Sequence, residues 1–340
     1  MKVGIAGAGF MGATHAAGWA ETEAAIAGFV AETAKEAGRL ADQYHAHVYP
    51  NYEAMLADVD VVDICTPTHL HYEMTLQAAA AGKHVVCEKP LARTVEQGRA
   101  MITACREAGV KLLVAHVVRF FPEYALAKSA VENGQIGRPA VIRLARGSFR
   151  PKKSVGNWFL DFEKSGGMML DLMIHDFDYA RWVAGEVESV FAKSIGHAKG
   201  DAASVDYGMA ILKHKNGALS HIAGAWAYPP PTFRTRLEIA GDAGLIEFDS
   251  AATAPIEILL RKPEAEAPDV GLPSSPLSES PFTTQIKEFY NALAHDRSAR
   301  VSAEDGLAAV QIALAAIESA KTGKAVTLRS EETRFLEAQS

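Results

Sequence analysis

Through its first 118 residues the chain alternates short apolar runs with amphipathic stretches. KVGIAGA, AAIAGFVA, AHVY, VDVVDICTP, HVVCEKP and KLLVAHVVRF read as six strands. Between them ATHAAGWAETEA, ETAKEAGRLADQYH, EAMLADV, THLHYEMTLQAAAAGK and TVEQGRAMITACREAGV carry helical spacing. Strand runs rich in Val and Ile, each followed by a helix, predict a parallel sheet covered on both faces. This gives a first domain over residues 1–118.

After residue 120 the pattern changes. One more helix, PEYALAKSAVENGQIG, precedes the strands PAVIRLARGSF, SVFAKSIGHA, SVDYGMAILKH, ALSHIAGAWAY, TRLEIAGDAGLIEFD and PIEILLRK. GGMMLDLMIHDFDYARWVAG reads as a helix between the first two of these strands. Hairpin breaks such as Lys215-Asn216-Gly217 separate the later strands, so a mostly antiparallel open sheet with helices on one face is expected. A Pro/Ser/Glu-rich loop over 263–281 and two closing helices, FTTQIKEFYNALAHD and AEDGLAAVQIALAAIESAKTG, complete a second domain over 119–330. The polar last ten residues are expected to fray. The fold class is therefore α/β, with a doubly wound sheet first and an α+β domain after it.

Composition narrows the function. The chain has 340 residues, 49% of them hydrophobic and 22% charged, with a net charge of −7. Acids and bases are mixed along it, so no basic stripe marks a nucleic-acid partner. No run of eighteen apolar residues predicts a membrane span. The N-terminal apolar run is broken by glycines and lacks a signal cleavage site. Cys65, Cys87 and Cys105 lie in apolar settings without CxxC spacing. They read as reduced core thiols of a cytoplasmic protein, not as nucleophiles.

Gly7-Ala8-Gly9-Phe10-Met11-Gly12 follows the first strand and opens a helix, the context a dinucleotide-binding Rossmann loop requires. Gly7 permits the tight turn, Gly9 lets the backbone approach a pyrophosphate, and Gly12 lets the helix pack on the strand. Phe10 and Met11 complete the loop, and the helix N-terminus offers N–H donors and a positive dipole end. Glu32, twenty residues past Gly12, is placed to accept from a ribose 2′-OH and so favours NAD. A one-residue offset puts Ala31 there instead, with Thr33 and Lys35 able to hold the 2′-phosphate of NADP.

Two further segments carry chemistry. VVCEKPLA sets Glu88 and Lys89 at the end of a parallel strand, where ligands bind in doubly wound sheets, and Pro90 fixes the backbone beyond them. Glu88 is expected either to orient Lys89 or to face the cofactor. In GGMMLDLMIHDFDYARW, Asp171 and His175 stand four apart and are expected on one face of an otherwise apolar helix. Histidine takes a proton near neutral pH, and an aspartate one turn away fixes its tautomer. A cationic Lys89 beside the same oxygen completes a set suited to oxidising a secondary alcohol.

GAGFMG, CTPTHLHYE, GKHVVCEKPLA and GGMMLDLMIHDFDYARW, in that order, resemble the Gfo/Idh/MocA oxidoreductases, the group of glucose–fructose oxidoreductase and inositol dehydrogenase. The resemblance runs over residues 1–325 and is nearest to inositol 2-dehydrogenases and related sugar dehydrogenases. It implies that Lys89, Asp171 and His175 form the catalytic set, and that Thr66, Pro67, Thr68, His69 and His71 lie along the nicotinamide side of the cofactor. It implies a sugar or polyol substrate and an open second-domain sheet whose outer face pairs subunits into dimers or tetramers. RLARGSFRPKKSVGNWF lacks the His and Asn pair expected of a close inositol dehydrogenase and offers Phe149, Arg150, Asn157 and Trp158 instead. An aromatic beside polar groups suits a sugar ring, and Arg150 suits an acidic or phosphorylated one. Arg119 and Tyr124 are further candidate cleft residues. No metal is expected, since HxH at His69 and His71 is short of ligands even with Cys65 and Cys87. Two rivals are a non-catalytic dinucleotide-sensing regulator and a same-fold enzyme with tightly bound NAD, such as a glycoside hydrolase. A sensor has no need of the proton-transfer set. The extended arm expected of a cofactor-recycling enzyme does not precede the first strand.

Overall fold

The computed structural model describes residues 1–152, 157–195, 206–251 and 279–328. The chain divides into two compact units, the first holding Met1–Pro122 and the second opening at Glu123. The expected strand at 255–262, nearly all of the Pro/Ser/Glu-rich loop and the polar tail lie outside the described residues.

The first unit runs β1 (Lys2–Ala6), α1 (Phe10–Trp19), β2 (Ala25–Val30), α2 (Ala34–Tyr44), β3 (His47–Val48) and α3 (Tyr52–Leu56). It continues with β4 (Val61–Ile64), α4 (His71–Ala80), β5 (His84–Glu88), α5 (Val95–Glu107) and β6 (Leu112–Ala115). The six strands form one parallel sheet in the order β3-β2-β1-β4-β5-β6. Helix starts follow from local chemistry. Thr33, Asn51 and Thr94 each accept a backbone N–H from the first turn of α2, α3 and α5. β4 is buried along its whole length, as a central strand covered on both faces must be. The strand order reverses between β1 and β4, which sets a crevice at the C-terminal ends of these strands. The last expected strand is shorter than KLLVAHVVRF: β6 stops at Ala115 and a 3₁₀ turn follows over Val117–Phe120.

Next in the chain come α6 (Pro122–Glu132), β7 (Pro139–Ser148), the single turn α7 (Phe162–Ser165), α8 (Gly167–Asp171) and α9 (Ile174–Ala184). β8 (Val187–Ile195), β9 (Asp206–His214), β10 (Leu219–Trp226), β11 (Phe233–Gly241) and β12 (Leu245–Asp249) follow, then α10 (Pro281–Ala294), α11 (Ala303–Thr322) and β13 (Val326–Thr327). The second unit's sheet has the order β12-β11-β7-β10-β9-β8-β13. Only β7 and β10 pair in parallel among the described strands. α8 and α9 cover one face of this sheet. Two glycines make the close approach possible: a Cβ on Gly224 would lie 2.3 Å from Met173 Cγ, and one on Gly208 would lie 2.9 Å from Met168 Cε. On the other face burial alternates strictly along β9, leaving Tyr207, Met209 and Ile211 exposed.

A single cut at residue 118 misses one feature. α10 and the chain through Val310 belong with the first unit, as does α7. Ile286 of α10 sits against Gly18 of α1, where a Cβ would come within 2.9 Å. Phe282 and Phe289 meet Phe121 and Phe120 edge to face, each at 6.3 Å, worth about 0.5–1.5 kcal/mol per pair beyond buried area. α7 is held by Arg93, which donates to the carbonyls of Phe162 and Glu163. These are contacts across long sequence separations, which strand and helix periodicity does not encode.

Candidate active site

The C-terminal ends of β1, β4 and β5 present three neighbouring loops, and each owes its shape to identifiable residues. In the glycine loop Gly7 has φ +102°, and a Cβ there would lie 2.5 Å from the Cys65 carbonyl oxygen. A Cβ on Gly12 would come within 1.8 Å of the Gly7 carbonyl oxygen, whereas one on Gly9 would meet nothing within 4 Å. So Gly7 and Gly12 are required by packing, and Gly9 borders open space that a ligand can enter. Gly9 caps α1 with no side-chain hydrogen bond, so the helix N-terminus keeps its dipole end for an anion. These features fit a dinucleotide pyrophosphate. Phe10 beside them is 46% exposed.

Glu32 is exposed in the loop between β2 and α2. Thr33, the alternative 2′-phosphate ligand, already uses its hydroxyl to cap α2 through the Glu36 N–H at 3.2 Å. Ala31 precedes Glu32 directly after the strand, and Lys35 is exposed in the first turn of α2.

The second loop carries Thr66 and Pro67, and His71 ties it to the third. His71 is 1% exposed, with Nδ1 2.8 Å from the Pro90 carbonyl oxygen and Nε2 3.0 Å from that of Thr66. Burial lowers its pKa, partly opposed by the two carbonyls. Its buried ring sits between the two loops, its one N–H donating to one of these carbonyls when the ring is neutral. Thr68 is buried and His69 half-buried. Burial and the nearby Lys164 lower the pKa of His69.

At the third loop the Lys89–Pro90 peptide is cis. Glu88 is 5% exposed and turns inward, its Oε2 accepting the Lys89 N–H at 3.0 Å and its Oε1 lying 3.0 Å from His15 Nε2. The Glu88 carboxylate thus contacts the Lys89 backbone and the His15 ring. His15 Nδ1 is 2.9 Å from Asp63 Oδ2, which also accepts the Trp19 indole N–H at 2.7 Å. The sequence reading missed this group, although Asp63 interrupts the apolar run of a central strand and His15 falls three residues after Gly12. Both were visible signals. The three thiols are buried or nearly so; Cys65 and Cys87 are pushed far up by burial and Cys105 to about 11. None is a thiolate nucleophile at neutral pH.

Arg119 belongs to this unit and is corrected as a substrate ligand. It is 1% exposed, pairs with Asp305 at 3.0 Å and donates to the Arg300 carbonyl oxygen. Its guanidinium pins the 3₁₀ turn after β6 to the start of α11.

In the second unit Asp171 and His175 do not share one continuous helix. α8 ends at Asp171, Leu172 and Met173 form a turn in which both N–H groups reach the Met168 carbonyl, and α9 restarts at Ile174. The interruption coincides with Met173, whose side chain fills the notch over Gly224. Asp171 is 7% exposed at the end of one helix, and His175 is half-buried in the first turn of the next. α9 is fixed from beneath. Asp176 receives two hydrogen bonds from Arg146 of β7, both 2.9 Å, with both residues nearly fully buried. The Tyr179 hydroxyl donates to the Tyr124 carbonyl at 2.9 Å. Tyr124 itself is 2% exposed and stacks edge to face on Tyr179, a packing role that replaces the expected cleft role. Phe149 is 1% exposed core, so it does not offer a sugar-stacking face. Arg150 is half-buried just beyond β7. Asn157 donates to the Pro151 carbonyl at 2.9 Å, and Trp158 stacks on Phe159 with centroids 4.0 Å apart.

Residues 1–116 match the family model described as an oxidoreductase family with an NAD-binding Rossmann fold, and residues 124–247 match the GFO/IDH/MocA C-terminal domain. The chain is 33% identical over 278 residues to the 1,5-anhydro-D-fructose reductase of Ensifer adhaerens, covering 80% of this chain and 81% of that protein. It is 30% identical over 339 residues to the myo-inositol 2-dehydrogenase of Thermotoga maritima, covering 96% and 98%. A solved levoglucosan dehydrogenase in complex with NADH and L-sorbose superposes with a TM-score of 0.82 at 26% identity, covering 97% and 99%. With the dinucleotide loop built as the sequence required and both halves of the chain matched, this protein belongs to the Gfo/Idh/MocA family of NAD-dependent oxidoreductases acting on the CH–OH groups of sugars and polyols.

Proposed function

We propose that this enzyme oxidises a secondary hydroxyl of a cyclic polyol or sugar, with His175 as the acid/base, Asp171 as its partner and Lys89 holding the substrate oxygen. The observation that carries the reading is the set of loops at the ends of β1, β4 and β5. A glycine loop open at Gly9 stands one strand from β4, and Glu88 bonds the Lys89 backbone at the end of β5. NAD, when bound, supplies the hydride acceptor. The chain supplies the rest: α1 holds the pyrophosphate, Glu32 accepts from the ribose, Lys89 orients the alcohol oxygen and His175 takes its proton. Arg150, Asn157 and Trp158 are proposed to contact the sugar. Glu32 is proposed to decide the cofactor, since a carboxylate there accepts from a ribose 2′-OH and repels a 2′-phosphate; this favours NAD over NADP. Reduced Cys65, Cys87 and Cys105 agree with a cytoplasmic enzyme.

Relatives with these names act on inositol, levoglucosan and anhydrofructose, so the test is cofactor reduction over a panel of inositols, anhydrosugars, aldoses and sugar acids, with NAD and NADP in parallel. Turnover with NAD on one ring class is expected. Tight cofactor binding with no turnover on any member would replace this reading with a dinucleotide sensor or an enzyme that keeps its NAD.

The open face of the second unit's sheet is proposed to pair subunits. Phe191 of β8 lies opposite Ile211 of β9 in register, and Tyr207, Met209 and Leu219 are also exposed on these strands, with Lys193 opposite Met209 and Lys213 opposite Leu219.

A further inference from the structure

His15 lies outside the proposed reacting groups, on α1 three residues after Gly12. It is fully buried between two carboxylates: Nδ1 lies 3.0 and 2.9 Å from the two Asp63 oxygens in hydrogen-bond geometry, and Nε2 makes an ion-pair contact with Glu88 Oε1 at 3.0 Å without hydrogen-bond alignment. A neutral imidazole has one donor and one lone pair, so it would aim that lone pair at one of the two carboxylates. The doubly protonated ring instead places a positive charge between the two carboxylates. Two other groups contact the same carboxylate: the Trp19 indole N–H donates to Asp63 Oδ2, and the Cys65 thiol lies 3.3 Å from Nδ1 and donates to Asp63 Oδ1 at 3.4 Å. Burial alone would drive the ring neutral, but the Asp63 charge and the Cys65 contact hold its pKa well above 6.5.

We propose that His15 is a positioning residue: as a buried imidazolium it clamps Glu88 and, through the Glu88–Lys89 backbone bond, fixes Lys89 relative to the helix that opens at the glycine loop. The chain of contacts is short and each link has one geometry. α1 carries His15 three residues after Gly12, β4 carries Asp63, and β5 ends in Glu88. Three adjacent elements are thereby locked at the site where the cofactor loop and the substrate-holding lysine must keep register. A buried cation flanked by two carboxylates is costly to desolvate, which makes it a poor way to gain stability and a good way to fix geometry.

The inference rests on the reading of Lys89 above, and the experiment separates the two. In the intact wild-type protein, ¹⁵N chemical shifts of the His15 ring should report protons on both nitrogens at pH values well above the ordinary value of about 6.5. A ring that loses a proton near the ordinary value of about 6.5 overturns the proposal, and this measurement needs no variant to fold. His15→Gln is uncharged and keeps N–H donors at one end only, with a carbonyl acceptor at the other. It should lower the hydride-transfer rate by about tenfold to 100-fold, the cost of misplacing a reacting group, while the affinity for NADH and the KM for NAD stay within about twofold. Lys89→Met is measured beside it. If Lys89→Met is inactive while His15→Gln keeps the wild-type rate, the positioning role is wrong and the site stands. If Lys89→Met keeps full activity, the site reading falls while the ¹⁵N result still decides the protonation of His15.

Discussion

His15 shows how a single buried side chain links sequence to behaviour in solution. Its folded pKa is raised above the unfolded value, so its stabilising contribution is complete below about pH 6.5 and is lost progressively as pH rises toward the folded pKa. The Cys65 thiol acts in the same direction, because burial keeps it protonated where the unfolded thiol ionises. The melting temperature is therefore expected to fall between pH 7 and pH 10, and to fall less steeply in His15→Gln. Equal slopes in thermal scans of the two proteins would show that His15 is not charged in the native state. At this scale the sequence was only partly legible. Gly7, Gly9 and Gly12 could be assigned by role because backbone sterics leave few alternatives. The burial of Arg119 and Tyr124 could not, since a lone arginine or tyrosine carries no signal of its distant partner Asp305 or Tyr179.

Elements obey periodicity until packing overrides it. GGMMLDLMIHDFDYARW has unbroken helical spacing, yet the structure divides it at Leu172–Met173 where methionines settle into glycine notches of the sheet. Asp171 and His175 consequently stand on two short helices, and the direction of His175 depends on how α9 is held. That task falls to the Arg146–Asp176 pair, buried at both ends and bidentate. Arg146→Met leaves the Asp176 carboxylate buried without its cation and should cost about 3–5 kcal/mol, read as a shift in the denaturation midpoint. Adding Asp176→Leu should recover a large part of that loss, since an apolar pair leaves no charge stranded. A single variant within 1 kcal/mol of wild type, about the value of a solvent-exposed ion pair, would mean that the pair does not hold α9. The six parallel strands of the first unit, by contrast, could be read directly, because an apolar run between helices has few other solutions.

For the whole molecule, the two sheets differ in what they leave uncovered. The first is a parallel sheet of the kind that helices cover on both faces, and the second shows exposed apolar side chains along β8, β9 and β10. Replacing Met209 and Ile211 by glutamate is expected to convert an oligomer into monomers in sedimentation, with the NADH affinity retained. A wild-type protein that sediments as a monomer would contradict the pairing. The order of domains was legible from the change of pattern near residue 120. The return of α10 to the first unit was not, because its evidence is a glycine–isoleucine fit across 268 residues, from Gly18 to Ile286.

The central claim is that Lys89 acts in the chemical step and not in holding the cofactor. The measurement is single-turnover cofactor reduction by wild type and Lys89→Met, on the substrate that the panel identifies, with NAD binding measured in the same preparations. The account predicts unchanged NAD affinity and hydride transfer slowed by about 10²–10⁴-fold. A Lys89→Met enzyme that reduces NAD at the wild-type rate would contradict it.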